Sequence, residues 1–265
     1  MIKRQITEHL RNMLTMFPVV SLTGPRQSGK TTLLKTEFPD YKYYNLERLD
    51  LRELIRSDPN GFLNHAGQKV IFDEVQQVPE LFSYIQVISD ERNTNGQFIL
   101  SGSQSFILSN QISQSLAGRV SINHLFPFDY SELKGVTDLS GVHSTIINGF
   151  YPRLIAQKIK PDDFYPSYLQ TYIERDVRTL NAIANLSAFA RFLGLCAGRT
   201  GQILNLTSLA SDAGISVNTA KSWLSLLESS FIIFLLQPYH HNFNKRIIKA
   251  PKLYFFDTGV VSSLL

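Results

Sequence analysis

The chain has 265 residues, of which 43% are hydrophobic and 18% charged, and a formal net charge of +4. These values are ordinary for a folded soluble protein with room for one large domain or two modest ones. The single cysteine, Cys196, excludes an internal disulfide and lies in an apolar helical pattern, so we expect a small buried side chain and a reducing compartment.

A complete phosphate-binding loop occupies residues 24–31, which read Gly-Pro-Arg-Gln-Ser-Gly-Lys-Thr. The run Val19–Leu22 predicts a buried strand before the loop, and Thr32–Lys35 predicts the start of a helix after it. This order places phosphates at a helix N-terminus, where the dipole and the free amides favour anions. Lys30 is predicted to reach the β- and γ-phosphates, and the Thr31 hydroxyl to ligate Mg²⁺. The predicted nucleotide-binding residues are Gly24, Pro25, Arg26, Gln27, Ser28, Gly29, Lys30, Thr31 and Thr32.

The segment Lys69–Glu74 is an apolar strand that ends in two acids. In P-loop ATPases the first such acid holds the Mg²⁺, so Asp73 is the predicted metal ligand. Glu74 is suited to polarising the attacking water and is the predicted catalytic base. A kinase needs no such base beside the metal, so Glu74 favours hydrolysis. The alternative is a solvated turn after an edge strand.

Two further strands are predicted around these acids. Tyr41–Leu46 fits a strand between the phosphate loop and Asp73, and Phe98–Ser103 is an apolar strand that ends in small polar residues. In ATPases that have a strand inserted between the loop strand and the Mg²⁺ acid, the end of the strand corresponding to Phe98–Ser103 holds a polar sensor of the γ-phosphate. Ser103 is the predicted sensor and Gln104 the second choice. The alternative for Ser103 is the N-cap of the helix that follows.

Arg119 stands ahead of a predicted fifth strand in the apolar run Ile122–Phe128. We expect it on the edge where ligands bind in open α/β sheets. A guanidinium there stabilises charge on the transferring phosphoryl group, in cis or from a neighbouring subunit. The alternative is a structural arginine paired with an acid.

Three segments are predicted along the chain. Residues 1–130 alternate strand and helix and predict an α/β domain with a parallel sheet covered on both faces. Residues 131–200 predict a connector and a helical, lid-like segment, with a helix over Phe164–Leu180. Residues 201–265 form the third segment. The predicted helix over Phe164–Leu180 carries charges that either reach the nucleotide as a lid or form a solvated face: Glu174, Arg175, Asp176 and Arg178.

The third segment has a helix-turn-helix pattern. Leu206–Gly214 predicts a short helix ended by glycine, and Ile215–Leu224 predicts a turn and a second helix. The predicted strands Phe231–Tyr239 and Leu253–Phe256 flank a basic stretch, so we expect a winged helix. That stretch contains Lys245, Arg246, Lys249 and Lys252.

DNA binding by the predicted winged helix stays open at this stage. The sequence pI near 9.1 permits it. The exposed side of the second helix offers Ser216, Asn218, Thr219, Lys221, Ser222 and Ser225. Asparagine reads adenine and lysine contacts guanine or phosphate, yet this helix has a single cation. The alternative is a module that docks a protein or acts as a lid.

The motifs, in this order, resemble the AAA-type "ATP-binding protein" family of bacteria and archaea. The resemblance covers nearly the whole chain. It rests on the phosphate loop, Ile71–Gln76, Leu-Ser-Gly-Ser-Gln, Leu-Ala-Gly-Arg, Gly149–Pro152 and Pro251–Gly259. It implies an AAA-type P-loop NTPase domain joined to a C-terminal domain of unknown function, with ATP binding and hydrolysis. Members usually continue past the Asp-Thr-Gly segment, residues 257–259 here, into a region sometimes likened to a nuclease fold. The resemblance therefore implies that this region is missing after Leu265.

Two functions stay open. The first is a hydrolytic, Mg²⁺-dependent ATPase whose conformational cycle acts on a macromolecular partner, with Glu74, Lys30, Ser103 and Arg119 as catalytic residues. The second is an ATP-gated DNA-binding or regulatory switch with little turnover; a small-molecule phosphotransferase is a weaker third.

The possible partners are DNA, a protein client and further copies of the chain. We expect no membrane partner and a cytoplasmic location, because Phe231–Leu236, the longest apolar run, is too short to span a bilayer and no signal peptide is apparent. Ile2–Phe17 is the segment expected to hold adenine.

Overall fold

The computed structural model describes residues 2–103, 115–172, 185–239 and 249–265. The chain divides into two compact units, Met1–Phe128 and Asp129–Leu265. The predicted segments 131–200 and 201–265 therefore both lie within the second unit.

The first unit is an α/β domain with a five-stranded parallel sheet in the order β2-β3-β4-β1-β5. Its strands are β1 (Val19–Thr23), β2 (Lys42–Asn45), β3 (Val70–Asp73), β4 (Phe98–Gly102) and β5 (Val120–His124). Its described helices are α1 (Ile6–Met16), α2 (Lys30–Glu37), α3 (Leu49–Ser57), α4 (Pro59–Ala66) and α5 (Leu81–Arg92). A 3₁₀ turn, Val75–Gln77, follows β3.

In the three central strands, β1, β3 and β4, every residue is buried. Alternate residues of a strand point to opposite sides, so both faces of the sheet are covered there. In β3, Val70 and Phe72 belong to one apolar cluster and Ile71 to the other. The cluster that contains Ile71 also contains Leu33 and Leu34 of α2, so the helix after the phosphate loop packs on that face. This double coverage explains why the strands have continuous apolar runs, as in other parallel sheets.

The second unit is mostly helical. Its described helices are α6 (Tyr130–Leu133), α7 (Val142–Asn148), α8 (Pro152–Gln157), α9 (Pro161–Tyr172), α10 (Leu186–Ala197), α11 (Leu206–Ala213), α12 (Val217–Ser229) and α13 (Thr258–Leu264). Strands β6 (Ile233–Leu236) and β7 (Lys252–Phe255) pair antiparallel, and Ile203 forms an isolated antiparallel bridge with Lys252. The predicted helix over 164–180 is described as far as Tyr172, and its four charged residues lie outside the described ranges.

Helices α10, α11 and α12 pack around one shared apolar cluster. Asn205 caps α11 and Ser216 caps α12, each by accepting a backbone N–H, and Gly214 follows α11 with φ 70°. Trp223 of α12 meets Phe189 and Phe192 of α10 edge-on, with ring centroids 5.3 Å apart in each pair. Cys196 is buried in the same cluster, and burial raises the pKa of its thiol to about 12.

The segments around Gly149 and Gly259 meet inside the second unit. The buried Asp257 carboxylate accepts hydrogen bonds from the backbone N–H of Phe150 at 2.8 Å and of Val260 at 3.0 Å. Burial raises the pKa of this carboxyl. A Cβ atom on Gly259 would lie 2.2 Å from the Tyr165 ring, closer than packed carbon atoms approach. Only glycine therefore allows α13 to lie against Tyr165.

We expect Gly259→Ala to destabilise the second unit by about 1–3 kcal/mol or more, because the added methyl group overlaps the Tyr165 ring. Gly194→Ala is the matched control: it adds the same methyl within α10, where the nearest atom is 3.9 Å away, and should stabilise by up to about 1 kcal/mol. Urea unfolding followed by the fluorescence of Trp223, the only tryptophan, measures both. Equal midpoints for the two variants would contradict the packing account.

Candidate functional site

The phosphate loop connects the end of β1 to the start of α2 and has no room for side chains at Gly24. This residue has φ 150°, and a Cβ atom there would lie 2.1 Å from the carbonyl oxygen of Leu125. Gly29, the N-cap of α2, is left-handed with φ 93°. The first turn of α2 offers backbone N–H groups that have no partner within the helix, which is the arrangement that binds phosphate.

Lys30 is held inside the loop it belongs to. It is buried, and its Nζ donates to the carbonyl oxygens of Gly24 and Pro25 at 2.9 Å each. The ammonium group is thus fixed at the carboxyl edge of the sheet, beside the helix N-terminus. Among the other predicted loop residues, Ser28 is buried, Arg26 is half-buried, and Gln27, Thr31 and Thr32 are exposed.

Asp73, at the end of β3, is the centre of a cluster of hydroxyl groups. Thr31 Oγ1 and the Tyr43 hydroxyl each donate to its Oδ2 at 2.6 Å, and the Ser101 hydroxyl donates to its Oδ1. These donors come from α2, β2 and β4. The structure therefore brings together Thr31 and Asp73, the two predicted metal ligands.

Tyr43 is a site residue that the sequence analysis missed. Burial and its hydrogen bond to Asp73 raise the pKa of its hydroxyl above the usual value, so it acts as a donor at neutral pH. Lys35 lies over its ring, 4.1 Å from the centroid. The alternating strand pattern is not a sufficient signal by itself, because it places Tyr43 on the same face as Asp73 only once β2 and β3 are known to be neighbours.

Glu74 lies next to Asp73 with a left-handed backbone, φ 55° and ψ 45°. Its Oε2 accepts a hydrogen bond from Ser103 Oγ at 3.2 Å and another from the Gln76 side-chain amide. The predicted base and the predicted sensor are thus in direct contact. Gln104 and the helix that Ser103 was alternatively expected to cap fall in the range 104–114, outside the described residues.

Arg119 is not at this edge of the sheet, and the expectation that it lies where ligands bind is wrong. It precedes Val120, which pairs with Val19 at the amino end of β1, whereas the phosphate loop follows the other end of β1. The two ends of these strands are roughly 13 Å apart. Its guanidinium donates to both oxygens of Asp90, at 2.6 and 2.9 Å, as in the structural alternative. A role in cis is excluded by this position; a role in trans stays a prediction.

Arg4 is hydrogen bonded to the phosphate loop and to the segment that follows β5. The sequence analysis did not identify it either. Arg4 is buried and donates to the carbonyl oxygens of Ser28 at 2.9 Å, Phe126 at 2.6 Å and Pro127 at 3.3 Å. Its guanidinium lies 4.6 Å from the centroid of the Phe128 ring. This residue of the segment expected to hold adenine therefore has a structural task, and nothing in the local sequence distinguishes it from a surface arginine.

The described residues contain no group of three or more His, Cys, Asp or Glu side chains placed to hold a metal ion. A metal bound at Asp73 would therefore take further ligands from elsewhere. Mg²⁺ is commonly bound in this way, by one or two carboxylates together with phosphate oxygens and water. The hydroxyl of Thr31 and the carboxylate of Asp73 suit this hard cation. No helix in the described ranges is long and apolar enough to cross a bilayer.

Comparisons with known proteins agree with this architecture. Residues 16–134 match the family described as "AAA domain", and residues 140–265 match a domain of unknown function (DUF8612). An uncharacterized protein of Mycobacterium tuberculosis is 30% identical over 99% of the chain, and one of Methanocaldococcus jannaschii is 23% identical over 88%. The chain spans 59% of the length of each of these relatives.

A solved structure, the Walker-type ATPase PABY2304 of Pyrococcus abyssi, covers the whole chain. The similarity extends over 96% of that protein, with a TM-score of 0.66 and 16% sequence identity. At this identity the similarity supports the fold alone: an α/β P-loop NTPase domain with a parallel sheet and helices.

We expect Arg4→Met to lower the stability of the first unit by on the order of 2 kcal/mol, because it removes the donor to the buried bonds at the Ser28 and Pro127 carbonyl oxygens. Arg11→Met is the matched control. It removes an exposed arginine that pairs with Glu37 at 3.1 Å, and such pairs contribute about 0–1 kcal/mol. Differential scanning calorimetry of both variants measures the difference, and similar melting temperatures would show that Arg4 does not brace the loop.

Proposed function

Because the chain belongs to the AAA-type ATP-binding proteins that carry a C-terminal domain of unknown function, we propose that it hydrolyses ATP with Mg²⁺. We propose further that this cycle changes the conformation of the protein and acts on a macromolecular partner. The observation that carries the proposal is the contact between Thr31 and Asp73, with Glu74 and Ser103 beside it. ATP binding follows from the family; the hydrolysis and the partner are the proposed part.

The phosphates are bound by the loop and by Lys30. Its Nζ donates to two carbonyl oxygens of the loop. If a phosphate oxygen replaced one of these carbonyls as the acceptor, the ammonium group would offset the phosphate charge and the loop backbone would not have to move. Thr31 and Asp73 are the residues that would hold Mg²⁺. When bound there, Mg²⁺ would supply positive charge that offsets the negative charge developing on the phosphates.

Hydrolysis requires a water molecule to attack the γ-phosphorus while the bond to the ADP oxygen breaks. Glu74 is the group proposed to accept the proton of that water, since it adjoins Asp73 and its Oε2 is already held by two donors. Ser103 would fix this carboxylate and, in the predicted sensor role, report the γ-phosphate to it. Positioning of this kind supplies most of the catalysis in phosphoryl transfer.

The second candidate is an ATP-gated DNA-binding switch, and one surface favours it. Helices α10 to α12 followed by the β6–β7 pair have the element order of a winged helix, and we propose that assignment. The exposed side of α12 carries Asn218, Lys221 and Ser222, and no acid precedes Glu228 on this helix. Lys245 and Arg246 of the expected wing lie outside the described residues, while Lys249 is exposed.

We expect Glu74→Gln to retain ATP binding and to lower turnover by a factor of about 100 or more, the usual contribution of a general base. Lys30→Ala should lose ATP binding. Glu80→Gln is the matched control, since it removes an exposed carboxylate that pairs with Arg56. Phosphate release and equilibrium nucleotide binding measure all three variants.

The same variants separate the two candidates when binding to duplex DNA is measured with ATP present. A switch predicts that Glu74→Gln binds DNA as tightly as the unmodified chain and that Lys30→Ala does not bind. Wild-type turnover in Glu74→Gln would sink the assignment of the base. Turnover that DNA leaves unchanged, with no DNA binding in any variant, would direct the search to a protein partner.

A further inference from the structure

Gln76 is a buried polar side chain next to the two acids, and the mechanism above gives it no task. It lies in the 3₁₀ turn that follows β3, and its Nε2 donates to Oε2 of Glu74. Its own Oε1 is buried and has no hydrogen-bond partner in the described part of the chain. A buried side chain that leaves one polar atom unpaired calls for an explanation.

The backbone of this turn directs Gln76 back toward the acid. Glu74 is left-handed, and the turn closes by hydrogen bonds from Gln77 N to Glu74 O at 3.0 Å and from Val78 N to Val75 O at 3.1 Å. The chain therefore folds back on itself immediately after the acid. A side chain two residues on is thereby placed within hydrogen-bond distance of the Glu74 carboxylate.

We propose that Gln76 is a positioning residue for Glu74, an inference that rests on the hydrolysis proposed above. Gln76 and Ser103 both donate to Oε2 of Glu74, and among the described residues no hydrogen bond is made to Oε1. One carboxylate oxygen is thus fixed from two sides, and the other is left to accept the proton of the attacking water. The unpaired amide oxygen of Gln76 is the consequence of turning its NH₂ group to Glu74.

The two donors matter because the terminal torsion of a glutamate is soft. A carboxylate held by Ser103 alone can rotate about that bond and displace the oxygen that accepts the proton. Small displacements of a reacting group have large effects on rate, up to about 100-fold for roughly 1 Å. Gln76 acts on the rate through Glu74 alone. No contact between Gln76 and the nucleotide is proposed.

The test is steady-state ATP hydrolysis by Gln76→Met, with Gln77→Met as the control one position along the same turn. Gln77 is hydrogen bonded through its backbone, to Glu74 and to Arg56. We expect kcat to fall on the order of tenfold in Gln76→Met, with KM and the nucleotide Kd unchanged. Gln77→Met should stay within about twofold of the unmodified chain.

A purely structural role is separated by repeating Gln76→Met in the Glu74→Gln background. With the base removed, we expect Gln76→Met to change the residual rate by less than about twofold, because a positioning residue has nothing left to position. An equal fall in both backgrounds, a rise in KM alone or an unchanged kcat would overturn the proposal. If Gln76→Met fails to fold, Gln76→Leu, which is smaller and also lacks a hydrogen-bond donor, should lower kcat as much.

The outcome also separates this inference from the proposed function. If Glu74→Gln hydrolyses ATP at the wild-type rate, the base is wrongly assigned and both proposals fail. If Glu74→Gln is inactive and Gln76→Met keeps the wild-type kcat, the proposed function stands and Gln76 is not the positioning residue.

Discussion

The site depends on one buried carboxylate, Asp73, and on the hydroxyl groups that hold it. Thr31, Tyr43 and Ser101 reach it from three separate elements, so its position requires α2, β2 and β4 to be in place together. Burying a carboxylate is unfavourable unless it is hydrogen bonded, and these three hydroxyl donors meet that requirement.

The strand order puts these groups on one face of the sheet. Ile71 and Ile99 precede Asp73 and Ser101 by two residues and belong to the cluster that contains Leu33 and Leu34 of α2. The helix that presents its N-terminus to phosphate therefore packs directly on the face that presents the carboxylate. Glu74 leaves this face because its left-handed backbone turns the chain, and it is met instead by Gln76 and Ser103. Metal ligand and base are adjacent in sequence yet held by separate sets of donors.

The sequence was sufficient to place the features that lie in one short segment, and insufficient to place those that depend on which strands are neighbours. The loop Gly24–Thr31 and the acids at the end of β3 could be predicted because each is local, and parallel strands bring their carboxyl ends together. Tyr43 could not be chosen over Tyr44, since two adjacent aromatics fit either face until the neighbour of β2 is known. The error at Arg119 has a simple cause: a residue that precedes a parallel strand lies at the amino edge. Arg4 contacts residues more than a hundred positions away, which no local pattern reveals.

The most direct test of this account is the gain in ATP affinity that Mg²⁺ produces, measured by calorimetric titration with Mg²⁺ and with a chelator. If Asp73 holds the metal, Asp73→Asn should bind ATP in chelator as the unmodified chain does and lose most of the gain. Tyr43→Phe should lose part of it, on the order of tenfold in metal affinity, as for other groups that orient a ligand. Tyr44→Phe, the same change on the opposite face of β2, should keep it. A full Mg²⁺ gain in Asp73→Asn would contradict the central role of this carboxylate.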